Sequence, residues 1–191
     1  MTDTLFDTKT PTAPAAAGPR PLRILGLDLS ITAPGVCLPD GTTHTITTTP
    51  KDGDRRLVAI ADRVMHAVLL GIDLAVIEGP VVRSSAAVSL GMVHGVVREL
   101  LIRHEVPYAV VAPATLKAFA TGRGNADKTA MAIAALKRTG REFADDNQCD
   151  AWWLRAAALD WYGQAEFELP KAQRGRLAKV SWPAREAVTG L

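Results

Sequence analysis

The chain has 191 residues, 48% of them hydrophobic, and a formal net charge of +2. This size and apolar content fit one globular domain with a substantial core, and so small a net charge indicates no particular partner. The sequence has no apolar run long enough to span a bilayer, no secretory signal, and two cysteines outside any CxxC pattern. These features exclude membrane-spanning, secreted and zinc-finger classes, so we expect a cytoplasmic protein without membrane association.

The spacing of apolar residues predicts three strands, followed by alternating helices and strands. Residues 1–21 are rich in Thr, Pro and Ala, and we expect them to be a disordered lead-in. Strands joined by short turns, and therefore antiparallel, are predicted over 22–29, 36–38 and 43–48. The later predicted elements are a helix over 53–70, a strand over 73–80, a helix over 85–104, a strand over 107–111, and helices over 113–120, 126–138 and 146–162.

This order predicts an α/β fold over 22–163, with a mixed five-stranded sheet and helices packed on it. A three-strand antiparallel meander comes first, and βα units follow. In such sheets, functional sites form beyond the carboxyl ends of parallel strands. The polar and basic segment 164–191 is expected to be a loosely held tail.

Carboxylates end two of the predicted strands and begin the last predicted helix. Asp28 ends the first strand and Glu78 the fourth, so they meet at one sheet edge if these strands are parallel neighbours. Asp146 and Asp150 lie four residues apart and share one face of the last helix. Like charges this close need neutralisation, and an all-oxygen cluster selects hard ions such as Mg²⁺ or Mn²⁺. Two such ions suit an in-line phosphoryl displacement.

Each carboxylate also has an ordinary structural interpretation. Asp28 suits an Asx turn, and Glu78 suits a surface ion pair with Arg83. Asp145 or Asp146 suits the N-cap of the last helix. Two apolar strands that both end in a carboxylate nevertheless favour the metal site over these separate explanations.

Basic residues are concentrated between positions 117 and 141, where Asp127 is the only acidic residue. Such a surface suits contacts with phosphate groups, and a solvated helix face is the alternative interpretation. The basic residues are Lys117, Arg123, Lys128, Lys137, Arg138 and Arg141.

Five motifs occur in the order and spacing of one enzyme family: GLDLSITAPGV, VIEGP, SLGMVHG, LKAFATGRGNADK and DDNQCDAWWL. In them, over about 22–163, the chain resembles the RuvC-type Holliday junction resolvases of the RNase H-like (retroviral integrase) superfamily. The GLDLS opening is similar to phage, plasmid and actinobacterial members, and a phage or plasmid protein would act in the host cytoplasm. The resemblance implies an RNase H-like fold with helices on both faces, and a homodimeric, Mg²⁺-dependent endonuclease that cuts branched DNA.

The resemblance also implies roles for individual acidic residues. Asp28 matches the ligand shared by both ions, Glu78 the second acidic ligand, and Asp150 the aspartate of the last helix. The family commonly has DxxD in that helix, whereas Asn147 lies three residues before Asp150 here. Either Asp146 or Asn147 completes the site; we expect Asp146 to be the ligand and Asn147 to lie just behind it.

Basic residues match the family as well. Lys117 and Lys128 match its lysines near the scissile phosphate, so Lys128 is expected to act in catalysis and in DNA binding; a plain surface lysine is the alternative. Arg123, in the loop between them, is expected to bind DNA. The SLGMVHG helix, with Gly91 and Gly95, matches the family's subunit-contact helix, and a helix buried within one subunit is the alternative.

Two regions depart from the family pattern. Some relatives have an aromatic wedge shortly after the strand-end Glu, where this chain has Val81 and Val82. The wedge is then aliphatic, or the junction is distorted in another way. The cations of the last segment either contact the DNA backbone or belong to a solvated tail; they are Lys171, Arg174, Arg176 and Lys179.

The resulting hypothesis is cleavage of four-way DNA junctions by two Mg²⁺ ions, with Mn²⁺ as a substitute. One ion activates a water for in-line attack and the other stabilises the leaving 3′ oxygen, which gives 5′-phosphate ends. The proposed ligands are Asp28, Glu78, Asp146 and Asp150. Alternative hypotheses are a nuclease of the same superfamily that cuts flaps or RNA–DNA hybrids, an actin-like nucleotide-binding protein, and a DNA-binding protein without activity.

Overall fold

The computed structural model of the chain describes residues 20–80 and 87–189. Most of the predicted lead-in, Arg83, the two valines at the wedge position and the first residues of the helix predicted from 85 lie outside these ranges. The strands are β1 (Ile24–Asp28), β2 (Gly35–Cys37), β3 (Thr43–Thr45), β4 (Leu74–Glu78) and β5 (Tyr108–Val111). The helices are α1 (Arg55–Leu69), α2 (Ala87–Arg103), α3 (Pro113–Thr121), α4 (Lys128–Thr139), α5 (Asp146–Trp161), α6 (Lys171–Arg174) and α7 (Arg185–Thr189).

The five strands form one sheet in the order β3-β2-β1-β4-β5. The first three strands pair antiparallel, while β1 pairs parallel with β4 and β4 pairs parallel with β5. The predicted mixed sheet, with a meander followed by βα units, is confirmed. The third strand is shorter than predicted, although the amides of Ile46 and Thr48 still donate to the carbonyls of Pro34 and Thr32, both at 2.9 Å.

Both faces of the sheet are covered, as the resemblance implied. Ile24 and Val76 pack on one face beneath α5, in a cluster with Trp152. Residues of opposite orientation, such as Leu25 and Ile77, pack on the other face beneath α1 and α2. Burial on both faces explains why the central strands are apolar throughout instead of alternating with polar residues.

The helix α5 lies directly on the sheet because β1 and β2 have glycine at the points of contact. A Cβ on Gly26 would lie 2.0 Å from the carbonyl oxygen of Ala151, and one on Gly35 would lie 2.0 Å from that of Asn147. Any other residue at either position would push the helix away. Since Gly35 pairs with Asp28, this close approach sets the first turn of α5 against the carboxyl end of β1.

The C-terminal segment is folded, so the prediction of a loosely held tail is wrong. It contains α6, a 3-10 turn over Gly175–Lys179 and α7. Leu169 and Leu177 are buried in the core beside α5, and Phe167 stacks on Trp152 with ring centroids 5.5 Å apart. Because these apolar residues are spaced singly among polar ones, their spacing predicts neither a helix nor a strand. The domain boundary near 163 stays a prediction.

Within residues 20–80 and 87–189, no helix combines the length and apolarity needed to cross a membrane.

Candidate active site

Asp28 and Glu78 meet at the carboxyl edge of the sheet. Leu27 pairs with Ile77 in the parallel β1–β4 ladder, so each strand ends one residue later in a carboxylate. The two side chains are close enough that the charge of Asp28 raises the pKa of Glu78.

Asp150, on α5, adds a third carboxyl group to this edge. The next residue, Ala151, rests on Gly26 of β1, so the register of the helix on the sheet brings Asp150 close to Asp28. Burial raises the pKa of Asp150 to about 6, and repulsion from Asp146 adds to this shift. All of these side chains are partly buried, which strengthens the repulsion among them.

The pKa values of Asp28 and Glu78 are raised for the same reasons. Burial, followed by repulsion from Asp150, raises the pKa of Asp28. Burial, followed by repulsion from Asp28, raises the pKa of Glu78. Three acids whose ionisation is opposed by burial and by one another's charge form a site that is poised for a positive ion.

Asp146 lies at the margin of this cluster and has a cationic partner. It forms a salt bridge with Lys128, which holds the pKa of the Asp146 carboxyl below its usual range. Its charge still contributes to raising the pKa of both Asp28 and Asp150, so it lies near them. The side chain of Lys128 is 75% exposed, and that of Asp146 is 34% exposed.

Two of the three predicted DNA-binding residues face the acids. The charge of Lys117 on α3 lowers the pKa of Glu78 and of Asp150, although burial outweighs it. Lys128 is the first residue of α4, whose N-cap Asp127 accepts a hydrogen bond from the Ala130 amide at 2.8 Å. The structure thus places a lysine from each of two helices beside the carboxylates.

Solved structures with a similar fold include Thermus thermophilus RuvC, with a TM-score of 0.63 and 19% identity over 77% of this chain and 100% of that chain. The chain has the fold of RuvC. T. thermophilus RuvC in complex with a Holliday junction substrate matches with a TM-score of 0.64 and 20% identity, over 77% of this chain and 99% of that one. The yeast mitochondrial Holliday junction resolvase has a TM-score of 0.46 and 14% identity, and 85% of each chain is covered. No protein-family model and no curated protein matches the sequence.

The RuvC fold agrees with the RNase H-like sheet that the five motifs implied. Asp28 and Glu78 lie at its carboxyl edge, and two of the ordinary structural roles considered for the acids are taken by residues outside the proposed ligand set. The pairing of Glu78 with Arg83 falls outside the described residues. The turn after β1 is made by Ser30, whose hydroxyl accepts from the Ala33 amide at 3.0 Å. The N-cap of α5 is Asp145, which accepts from the Gln148 amide at 2.9 Å and leaves Asp146 available.

Asn147 and Arg123 occupy peripheral positions around this edge of the RuvC fold. Asn147 packs over Gly35, the residue of β2 that pairs with Asp28, so it lies on the side of Asp28 away from β4. Arg123 is exposed in the loop between α3 and α4. That loop is held by the Thr121 hydroxyl, which donates to the Lys117 carbonyl at 2.8 Å and accepts from the Arg123 amide at 3.2 Å.

The donor set fits a hard divalent cation, because it consists of carboxylate oxygens that repel one another until a positive charge is supplied. As the side chains stand, no three His, Cys, Asp or Glu side chains in the described part of the chain are arranged to hold an ion. Asp146, for example, is paired with Lys128 instead.

Sequence reasoning missed the two glycines that position the helix. Gly26 and Gly35 lie inside apolar strands, and a glycine in a strand interior often marks the close approach of another backbone. That signal was present in the sequence. Which helix approaches these strands follows only from the tertiary fold.

Proposed function

We propose that the chain is a structure-selective endodeoxyribonuclease that resolves four-way (Holliday) DNA junctions with divalent metal ions. The observation that carries this proposal is the cluster of Asp28, Glu78 and Asp150 at the carboxyl edge of a sheet with the RuvC fold. One similar structure is RuvC in complex with a Holliday junction substrate, which supports branched DNA as the substrate here. Such an enzyme would act in the cytoplasm, whether its gene is chromosomal or belongs to a phage or plasmid.

The clustered carboxylates and Asp146 would hold two Mg²⁺ ions, with Mn²⁺ as a substitute. When bound, these ions supply charge neutralisation, activation of a water nucleophile and stabilisation of the leaving 3′ oxygen. For its part, the chain must ionise Asp28 and Glu78, whose pKa values burial raises, and release Asp146 from Lys128. Asn147 would support this edge from the β2 side.

Lys128 would bind a phosphate next to the scissile bond. Its exposed ammonium group projects from the first residue of α4, where the helix dipole also favours an anion. When Asp146 turns toward the ions, a DNA phosphate replaces it as the partner of Lys128. Lys117 stabilises negative charge from the other side of the acids, and Arg123 extends the basic surface along the DNA.

The α2 helix would form the contact between two subunits. A Cβ added to Gly91 or Gly95 would meet nothing within 4 Å, so no part of the chain that the structure describes covers these residues. Beside them, Val88 is 77% exposed and Met92 is 41% exposed. A two-fold dimer through this face would present two acidic clusters to a junction, and paired nicks follow from that symmetry.

The decisive test is cleavage of a synthetic four-way junction with and without Mg²⁺, compared with a flap, an RNA–DNA hybrid and a plain duplex. We expect Mg²⁺-dependent nicking of the junction ahead of the other substrates. Asp28→Asn should keep junction binding in a gel-shift assay and slow cleavage by about 100-fold or more. The matched control is Asp62→Asn, which changes an exposed carboxylate on α1.

Three results would contradict the proposal. Cleavage by Asp28→Asn at the wild-type rate would show that Asp28 is not part of the active site. Nicking without divalent ions would show that the reaction does not use a metal. Faster cutting of the flap or hybrid than of the junction would assign the chain to another class of RNase H-like nuclease.

A further inference from the structure

We propose that the C-terminal segment and the end of α5 form a second nucleic-acid-binding surface, which binds an unpaired strand. We name it the indole surface and define it by Trp161, Trp182, Arg176, Lys179 and Arg185. The inference rests on the proposed DNA-cleaving function, and it adds a DNA contact away from the acidic cluster. Trp161 follows Asp150 by eleven residues of the same helix, which is about 16 Å along its axis.

The indole surface presents an aromatic face to solvent. Trp161 is 44% exposed although it is a large apolar side chain. Its ring stacks on that of Trp182, with centroids 5.8 Å apart and an angle of 19° between the planes. A cleft of about 590 Å³ lies beside the two rings. Exposed stacked indoles of this kind are platforms on which unpaired bases stack, since every base has a π face.

The polar groups of the neighbouring aromatic residues are already used within the chain. The indole N–H of Trp182 donates to the Leu177 carbonyl at 3.0 Å, and the hydroxyl of Tyr162 donates to the Pro183 carbonyl at 2.8 Å. The surface therefore offers chiefly ring faces and cations, with the Ser181 hydroxyl at the edge of the cleft. This chemistry favours a nucleotide over a peptide as the occupant.

The segment that carries Trp182 is rich in cations, and one of them, Arg185, lines the cleft beside the exposed indole. Residues 170–189 contain five Lys or Arg residues and one acidic residue, Glu186. Arg174 pairs with Asp160 at 2.8 Å, and Arg185 donates to the Tyr162 carbonyl. The other three cations are exposed and form no salt bridge within the described ranges; they are Lys171, Arg176 and Lys179. Phosphates are the charge-complementary partner of such a surface.

The surface is built on a packed scaffold. Leu177 of the 3-10 turn is 1% exposed and Val188 of α7 is 3% exposed, so both of these elements are anchored in the core. Gln173, also buried, donates to the Phe119 carbonyl at the end of α3, at 3.1 Å. A surface held in this way is formed before its ligand arrives, which lowers the entropy lost on binding.

The experiment measures binding of a labelled oligothymidine of about 12 nucleotides to the full chain in EDTA, by fluorescence anisotropy and by quenching of tryptophan emission. Trp161→Ala should weaken binding about tenfold or more and remove most of the quenching. Arg176→Ala combined with Lys179→Ala, which leaves the packing untouched, should reduce the slope of log affinity against log salt by about 1.4. Lys51→Ala is the control, because Lys51 is an exposed cation beside α1 on the other face of the sheet. It should leave the affinity, the quenching and the salt slope unchanged.

Unchanged affinity and quenching in Trp161→Ala, or an unchanged salt slope in the double variant, would overturn the proposal. Equal quenching by polyglutamate of the same length would also overturn it, because the surface would then suit an acidic protein. Oligothymidine binding that depends on Trp161, in a protein that fails to cut junctions, would contradict the nuclease proposal and support this one.

Discussion

Asp28, Glu78 and Asp150 destabilise the metal-free fold when they ionise, because burial and mutual repulsion raise the pKa of each. A group with a raised pKa binds its proton more tightly in the folded state than in the unfolded chain. Stability is then fully present at low pH and falls as the pH rises through the folded-state pKa. For Asp150 this window runs from its ordinary pKa of 3.8 to about 6.

Asp150→Asn should therefore stabilise the metal-free protein at pH 8. After a discount for partial exposure, the gain is about 1–2 kcal/mol, or about 2–6 °C in Tm. At pH 3.5, where the native aspartate is protonated, the variant and the wild type should melt together. Thermal denaturation in EDTA at both pH values checks this, with Asp62→Asn as the control. A lower Tm for Asp150→Asn at pH 8 would contradict the repulsion argument.

At this scale the sequence predicted which acids stand at strand ends but not how they are paired. Asp28 and Glu78 were recognisable because each ends an apolar run. The salt bridge between Lys128 and Asp146 was not, since it joins the first residues of two helices whose relative position depends on tertiary packing. The roles of these residues as ligands stay predictions.

Among the elements, α5 does most to assemble the site, and it does so through backbone contact with β1 and β2. Helices usually pack on sheets through side chains, which leaves room for adjustment. Here carbonyl oxygens of Asn147 and Ala151 fill the space that a Cβ would need on Gly35 and Gly26. The distance from Asp150 to the strand-end acids is therefore set by the backbone itself.

Gly26→Ala should lower the free energy of unfolding by about 2 kcal/mol or more, because neither backbone can yield without breaking strand pairing. It should also reduce the rise in Tm that Mg²⁺ produces in the wild type, since Asp150 moves away from Asp28. Chemical denaturation measures the first effect, and thermal denaturation with and without Mg²⁺ measures the second. Gly175→Ala is the matched control, because it has open space and a φ of −60°. Equal stability of the two variants would contradict this prediction, because it would show that α5 can shift away from β1 without a loss of stability.

Most elements were predictable from apolar periodicity, and the C-terminal ones were not. The period of α1 is visible because that helix buries one regular face, and the central strands are visible as short apolar runs. The helices α6 and α7 have four and five residues, too few to show a period. Their positions depend on single anchors such as Val188 of α7, which only the assembled core identifies.

For the whole molecule, the exposed face of α2 predicts a dimer. Met92→Glu should convert the wild-type dimer into a monomer in sedimentation velocity runs, because a carboxylate buried between two apolar faces costs several kcal/mol. The monomer should still melt higher in Mg²⁺, since its acids are intact. Leu136→Glu places the same charge at an exposed apolar position on α4, beyond the other face of the sheet, and should remain dimeric. A dimeric Met92→Glu protein would place the subunit contact elsewhere.

The tryptophans of this chain all lie on or against one helix. Trp152, Trp153 and Trp161 belong to α5, and Trp182 stacks on the last of them. The rings of Trp152 and Trp153 are 4.9 Å apart, close enough for their electronic transitions to couple. Near-ultraviolet circular dichroism therefore reports on the helix that carries Asp150. Its response to ion binding can be followed without a label, a substrate or any cleavage.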